Sequence, residues 1–493
     1  MASADAKTED QRGPSVVTDS GVIQPTKPDS VTSSLDGDTS LLGKGSTSST
    51  IDDAITKSEC DVTSKTDGAT SPLAEVAIPP LVEDLKTPPT DNSTDTPVDG
   101  TATSLNDGAT LPQSNPEPTL PSLDGSKNTP ARIPKKPVNV TNETVQRILG
   151  TIFGQCAGDA IGLLTEFLTK EECKEHYKTM RKELEFSHKI EDHHRVHWKT
   201  GDWTDDSDQM ILILLSIVEN QGTVDPFDFA RRIKDWGLKG FPELGDHVGM
   251  GQGRTTHFVI NKRTYLEDPF ATAERVWDLN GRDVAANGAV MRTSILGVHM
   301  YADIDLVIQN AITITRTTHA DPRCRASTVA VSVAIALMLQ RQPKHLDRKG
   351  NYNIKAIIRD CYEYASKCLE TDEKRKEFKT YLKCTRLKEL KLDESGKIGY
   401  TYKTMGSGFW ALKQQNFREA ITKIIMEGGD ADTNACVAGA MLGCKYGAEA
   451  IPTTWTQNLL HKEWLEAIID RYFHMMAEVH NIDFTPYWTG HLL

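Results

Sequence analysis

Two short acidic segments share one design: Trp203-Thr204-Asp205-Asp206-Ser207-Asp208 in mid-chain and Gly428-Gly429-Asp430-Ala431-Asp432-Thr433 near the end. Each places two carboxylates and a threonine hydroxyl just ahead of a helix-like apolar run. If the two meet in space, at least four carboxylates share a small volume, and their repulsion would protonate some of them unless cations intervene. Oxygen donors with no histidine or cysteine beside them suit hard divalent ions, Mg²⁺, Mn²⁺ or Ca²⁺, better than zinc. The plainer reading is a helix start: Thr204 as the cap, acids at the positive end of the helix dipole, and Met210 to Leu215 as the buried body. Taken alone, the first segment favours that reading. The second shifts the balance, because Gly428 and Gly429 cost backbone entropy and belong where a loop must bend or lie close to a ligand. Both carboxylates of a pair can converge only at a helix start or loop, since near neighbours diverge on a regular helix.

Other segments carry weaker signals. Asp159 and Glu166 stand in Gly158-Asp159-Ala160-Ile161-Gly162-Leu163-Leu164-Thr165-Glu166, which reads as a buried amphipathic helix. Asp159 fits a cap or ion pair as well as a reactive group, and Glu166 fits a polar helix edge. Ala285-Ala286-Asn287-Gly288-Ala289-Val290-Met291-Arg292 offers an Asn-Gly turn opening a helix, whose unpaired N–H groups could cradle a diphosphate, although a plain turn is the commoner outcome. His319, in Thr317-Thr318-His319-Ala320-Asp321-Pro322, lacks a second metal-type ligand, so a zinc role is not expected. Gly43-Lys44-Gly45-Ser46 is no P-loop, and Cys436 reads as a buried, inert thiol.

These residues need a frame, and composition says where it lies. The 13 Phe, 12 Tyr and 8 Trp all fall at Phe153 or later, while the preceding sequence is rich in Ser, Thr, Asp, Pro and Gly. Residues 1 to 138 are therefore expected to be a disordered tail, and 139 to 493 a single folded domain. From Val145 onward the apolar spacing is helical and alternating patterns are scarce, which predicts an all-α fold. Helices are expected at 207–219, 227–236, 271–279, 304–315, 324–339, 354–369, 417–426, 433–446 and 463–479. Gly154, Gly158 and Gly162, and the small residues Ala435, Ala438, Gly439, Ala440 and Gly443, suit closely packed helices. The Lys- and Glu-rich stretch from Thr371 to Gly399 reads as an exposed excursion.

The net charge of −13 argues against general nucleic-acid binding. Nine cysteines without a Cys-x-x-Cys pair suit reduced thiols in an intracellular, cytoplasmic setting, with the basic patch Arg132 to Pro137 leaving nuclear import open. The longest apolar run, Val329 to Leu339, is too short to span a bilayer, so no membrane role is expected, and a monomer is.

Taken in order from Gly154 to Gly447, these segments resemble the ADP-ribosylglycohydrolase family, with Thr204-Asp205-Asp206 and Gly428 to Asn434 as the most specific elements. The resemblance implies an all-α orthogonal bundle around two Mg²⁺ or Mn²⁺ ions. By position, Thr204, Asp205, Asp206, Asp430, Asp432 and Thr433 would be metal ligands, and Glu166 a catalytic acid or base acting with Asp205 and Asp206. Asn287, Gly288, Ala289 and His319 would line the ADP-ribose groove. The implied reaction is hydrolysis of the glycosidic bond between ADP-ribose and an acceptor, on an ADP-ribosylated protein or a small molecule. Ser207 stands where the family usually has threonine, and Ala431 replaces a threonine; neither removes a carboxylate. The rival expectation is an inactive crystallin-like protein or ADP-ribose-binding module on the same scaffold.

Overall fold

Thr141 opens the folded region by capping the first helix, its hydroxyl accepting a hydrogen bond from Thr144 N–H. The computed structural model describes residues 138–180 and 182–492, so the expected disordered tail, apart from Val138, lies outside the described residues. Sixteen α-helices follow: α1 (Asn142–Gly162), α2 (Lys170–Tyr177), α3 (Asp205–Glu219), α4 (Pro226–Lys239), α5 (Arg254–Ile260), α6 (Pro269–Leu279), α7 (Ser294–Val298), α8 (Ile304–Arg316), α9 (Pro322–Gln340), α10 (Ile354–Ala365), α11 (Asp372–Leu382), α12 (Thr401–Ala411), α13 (Phe417–Ile425), α14 (Ala431–Tyr446), α15 (Thr453–Gln457) and α16 (Lys462–His480). Among the described residues there is no strand, only the isolated bridges Ala286–Tyr400 and Leu346–Tyr352.

The small residues explain the centre of the bundle. A Cβ placed on Gly150, Gly154, Gly158 or Gly162 of α1 would meet, in turn, backbone of Gly443, Gly439, Ala435 and Asp432 of α14. The rising and falling numbers make the pair antiparallel. Glycine every fourth residue puts one smooth strip on α1, so the two backbones touch and the C-terminal end of α1 lies beside the N-terminal start of α14. That is where Asp159 and Asp432 sit. α9 is long and apolar enough to cross a membrane by composition, but 89% of that apolar window is buried inside the bundle.

The expected helices all form, with α3 and α14 starting two residues earlier, at their acids. Two expectations need correction. The 371–399 stretch is not simply an exposed excursion: it contains α11, and Phe378, Leu382, Leu390 and Leu392 are buried. Phe378 packs against Tyr402, their rings 5.5 Å apart. Helix α12 had no sequence prediction because every one of its residues is buried, leaving no polar face to give a periodic signal.

Candidate active site

Helix α3 begins at the expected N-cap, Thr204, whose hydroxyl accepts from Asp206 N–H (3.4 Å), and its first turn is also held from another helix. The Asp159 carboxylate, on α1, accepts four hydrogen bonds: from Thr204 N–H (3.1 Å) and hydroxyl (2.9 Å), and from Ser207 N–H (3.0 Å) and hydroxyl (2.6 Å). Burial pushes the Asp159 pKa up to about 7, against the pull of those donors. Of the readings open for Asp159, the structure selects the cap. It also accommodates Ser207, whose short hydroxyl completes that cap.

The second acidic segment is tied to the Glu166 turn. Gly428 and Gly429 both adopt positive φ (+71° and +72°), which glycine permits without strain. Phe167 N–H donates to the Gly429 carbonyl (2.7 Å), and Gly429 N–H donates to that of Leu168 (2.8 Å). The tight approach made by these glycines is therefore to protein backbone, at Leu168 and Leu392. Glu166 is not borne within a helix as the sequence pattern suggested: α1 ends at Gly162, and Glu166 lies in the following turn. Its Oε2 is 2.6 Å from His194 Nε2. Arg195, itself buried, binds the carbonyls of Leu163, Leu164 and Glu166, satisfying the frayed end of α1 and fixing that turn.

Carboxylate oxygens of Asp159, Asp206 and Asp432 lie within 4.8 Å of one another, as do those of Glu166, Asp430 and Asp432. Thr433 donates to Asp206 Oδ1 (3.1 Å), and the Thr204 hydroxyl is 3.5 Å from Asp432 Oδ2. Asp206 Oδ2 and Asp432 Oδ1 are buried with no hydrogen-bond partner among the described residues. Burial, followed by the charges of neighbouring carboxylates, drives Asp205, Asp206 and Asp432 well above the usual carboxylate range, and burial raises Glu166. Unpaired buried acceptors crowded this way are costly as they stand, and they form an oxygen donor set that hard divalent cations fit. Asp205 is outside both close groups; its Oδ2 accepts from Gln209 Nε2 (2.7 Å). Asp208 turns elsewhere and accepts both the Trp203 and Trp236 indole N–H groups (2.8 and 3.0 Å).

The Asn287 segment forms a 3₁₀ helix, Asn287–Arg292, rather than an α-helix start. The Asn287 N–H is not free, since it donates to the Gly399 carbonyl (2.9 Å). Its side-chain amide instead donates to Asp430 Oδ2 (2.9 Å) and Thr404 Oγ1 (3.0 Å), holding that aspartate in place. Gly288 faces His319: a Cβ there would sit 3.1 Å from the imidazole Cε1 and Nε2. Ala289 is fully buried behind them.

One residue that the sequence reading passed over links the two sides. Buried Arg292 donates to Gln209 Oε1 (2.7 Å), whose amide holds Asp205, and to Thr318 Oγ1 (2.7 Å). The Thr318 hydroxyl, having accepted from Arg292, also hydrogen-bonds His319 Nδ1 (2.7 Å). The other ring nitrogen, Nε2, is buried with no partner among the described residues. Burial, with Arg292 adding to it, lowers the His319 pKa to about 3, so the ring is neutral. The one sequence hint was a charged residue inside an otherwise apolar stretch. His194 and Arg195, in a His-rich loop, carried no such hint.

The fold and site together define an all-α bundle that gathers carboxylates where two of its helices begin. The family model for ADP-ribosylglycohydrolase matches residues 141–481, and this chain belongs to that family. It is 25% identical over 335 residues to a protein of Archaeoglobus fulgidus, covering 68% of this chain and 98% of that one. It is 22% identical over 341 residues to the ADP-ribosylarginine hydrolase Tri1 of Serratia proteamaculans, covering 68% and 81%. To the ADP-ribosyl-dinitrogen reductase glycohydrolase of Rhodospirillum rubrum it is 28% identical over 318 residues, covering 64% and 90%.

Proposed function

We propose that this chain is a divalent-metal-dependent hydrolase that cleaves the glycosidic bond between ADP-ribose and an acceptor on an ADP-ribosylated protein. The observation that carries the reading is the pair of unpartnered buried oxygens, Asp206 Oδ2 and Asp432 Oδ1, beside the Glu166–His194 pair. Asp206, Asp430 and Asp432, with Asp205 and the hydroxyls of Thr204 and Thr433, are the residues that would hold two Mg²⁺ or Mn²⁺ ions. Bound there, the ions would supply positive charge that orients the ribose hydroxyls and offsets charge developing at the reacting bond.

The chain's own groups account for the remaining roles. Water adds across the bond, its hydroxyl going to the anomeric carbon and its proton to the departing acceptor. Glu166, raised by burial and hydrogen-bonded to His194, is placed to pass that proton. When His319 Nδ1 accepts from Thr318, its Nε2 beside Gly288 offers a donor to an anionic oxygen of ADP-ribose, where a larger residue than glycine would intrude. Two of the relatives are named for an arginine-linked and a dinitrogen-reductase-linked substrate, which supports an ADP-ribosylated protein as the partner.

The test is a panel of ADP-ribosylated proteins and small molecules incubated with Mg²⁺ or Mn²⁺, with free ADP-ribose as the readout. Release that stops on chelation supports the reading. Tight ADP-ribose binding without release from any member would instead favour a binding module.

A further inference from the structure

The antiparallel pair that carries acids at one end carries cations at the other. Arg147 on α1 and Lys445 on α14 line an open cleft of about 1430 Å³. Asp159 is 12 residues further along α1 than Arg147, so the cleft and the acidic centre are about 18 Å apart along the helix. Eight cationic and three acidic side chains line the cleft, in a chain whose net charge is −13.

Part of this charge is explained by the fold. Arg147 donates to the Cys444 and Lys445 carbonyls, Lys413 to the Lys383 and Cys384 carbonyls, and Lys445 to those of Leu412 and Gln414. These are the carboxyl ends of α14, α11 and α12, where cations are favoured. Arg341 and Arg147 also pair with Glu143, and Arg359 pairs with Asp360. Lys355, Lys379 and Lys383 are exposed and make no ion pair among the described residues, and the Nε of nine-tenths-buried Arg147 has no partner. Burial without a carboxylate partner lowers Lys445 to about 8. Tyrosines are interleaved with the cations: Lys379 Nζ is 4.9 Å from the centre of the Tyr362 ring, and the Arg147 guanidinium 4.9 Å from that of Tyr352.

We infer that this cleft binds single-stranded nucleic acid, its cations tracking the phosphate chain and its tyrosines lying beside the bases. The cleft exceeds the range of about 300–1,000 Å³ usual for a small-molecule pocket, and a basic groove with interspersed aromatic rings suits an extended, phosphate-bearing strand. The inference is independent of the hydrolase reading, because it uses the opposite end of the α1–α14 pair.

The experiment measures fluorescence anisotropy of a fluorescein-labelled single-stranded oligothymidylate with the full chain, in chelator so that divalent ions play no part. Saturable binding that weakens as salt rises is expected. Replacing the three exposed lysines together (Lys355→Gln, Lys379→Gln, Lys383→Gln) should weaken it by about ten-fold or more and flatten the log–log salt slope by about 2, at ~0.7 per lost phosphate contact. Inorganic polyphosphate should displace the probe and polyglutamate should not. Thermal melting checks the folding of the triple variant, and Lys379→Gln alone, with a smaller loss, replaces it if the triple variant does not fold. Absence of saturable binding at low salt, unchanged affinity and slope in the folded variant, or displacement by polyglutamate as readily as by polyphosphate would each overturn the inference.

Discussion

Substituting Gly443 by alanine tests the central helix contact without touching an acid. A Cβ there would lie 1.7 Å from the Gly150 carbonyl oxygen and 2.3 Å from its carbon. Ordinary contact is about 3.4 Å, so α1 and α14 must part locally by roughly 1.7 Å. Both sides of the clash are backbone, and no rotamer change can relieve it. Overpacking costs ~1–3 kcal/mol, and the upper end applies here. Alanine returns up to ~1 kcal/mol of helix propensity, leaving a net loss of ~2 kcal/mol. At an unfolding entropy of about 2.1 cal/mol/K per residue, a domain of roughly 350 residues shifts by ~1.4 °C per kcal/mol, so the melting temperature should fall by ~3 °C. Gly158→Ala is the companion variant: its Cβ would lie 2.2 Å from the Ala435 carbonyl oxygen, next to Asp159. Differential scanning fluorimetry and Mn²⁺ calorimetry should show Gly443→Ala lowering the melting temperature with little change in metal affinity, and Gly158→Ala lowering both. If Gly443→Ala melts within about 1 °C of the parent, the backbone-to-backbone contact is wrong, and the placing of the two acidic ends by it falls too.

The other predictions concern the site and one buried histidine. Adding Mn²⁺ or Mg²⁺ to chelator-stripped protein should raise its melting temperature, because only the folded chain assembles the donor set; an unchanged melt at millimolar metal would count against the site. Asp432→Asn should reduce Mn²⁺ affinity and ADP-ribose release together, by at least the ~10–100-fold typical of lesser, outer-sphere changes. Glu166→Gln should spare most of the metal affinity while depressing turnover, and equal losses of both would remove the proton-transfer role. Arg292→Lys keeps charge but cannot reach Gln209 and Thr318 at once, so turnover should fall more than stability, with wild-type kinetics ruling out its positioning role. His299 is lowered to about 4 by burial, so below its unfolded value of ~6.5 the unfolded chain takes up a proton that the folded chain refuses, and stability is lost as pH falls from ~6.5 to ~4. That loss is at most ~3.4 kcal/mol for ~2.5 pKa units, and urea midpoints should show a shallower pH slope in His299→Gln.

What the sequence made legible, and what it hid, follow from the range of each interaction. Helix faces show as local periodicity, so the amphipathic helices were readable, and the glycines of α1 and small residues of α14 announced a close contact. The acids were readable as pairs because the residues after them supply the helix that places them. Glu166 was misplaced for the same local reason: Leu163 and Leu164 continue the apolar spacing, but α1 ends at Gly162, and Arg195, some 30 residues on, binds the carbonyls of Leu163 and Leu164 just beyond it. Nothing near position 163 records that competition. Buried α12 was hidden likewise, since all of its residues are buried and it has no apolar face opposed to a polar one, whereas α11 buries one face, Phe378 and Leu382, too narrow to stand out among the surrounding charges.

The same distinction separates the acids from the residues that aim them. Asp159 reaches Thr204 across 45 residues, Asn287 reaches Asp430 across 143, and Arg292 reaches Gln209 across 83. Each is polar and partnered only after folding, so its spacing in the chain is arbitrary. Asp205 Oδ2 is held by Gln209, Asp430 Oδ2 by Asn287, and one oxygen of Asp206 by Thr433, while Asp206 Oδ2 and Asp432 Oδ1 are buried without a partner among the described residues. The pattern of spare oxygens is thus set by neutral and cationic partners that carry none of the chemistry themselves. Exchanging Gln209 or Asn287 for an apolar residue should therefore disturb the site without removing one carboxylate.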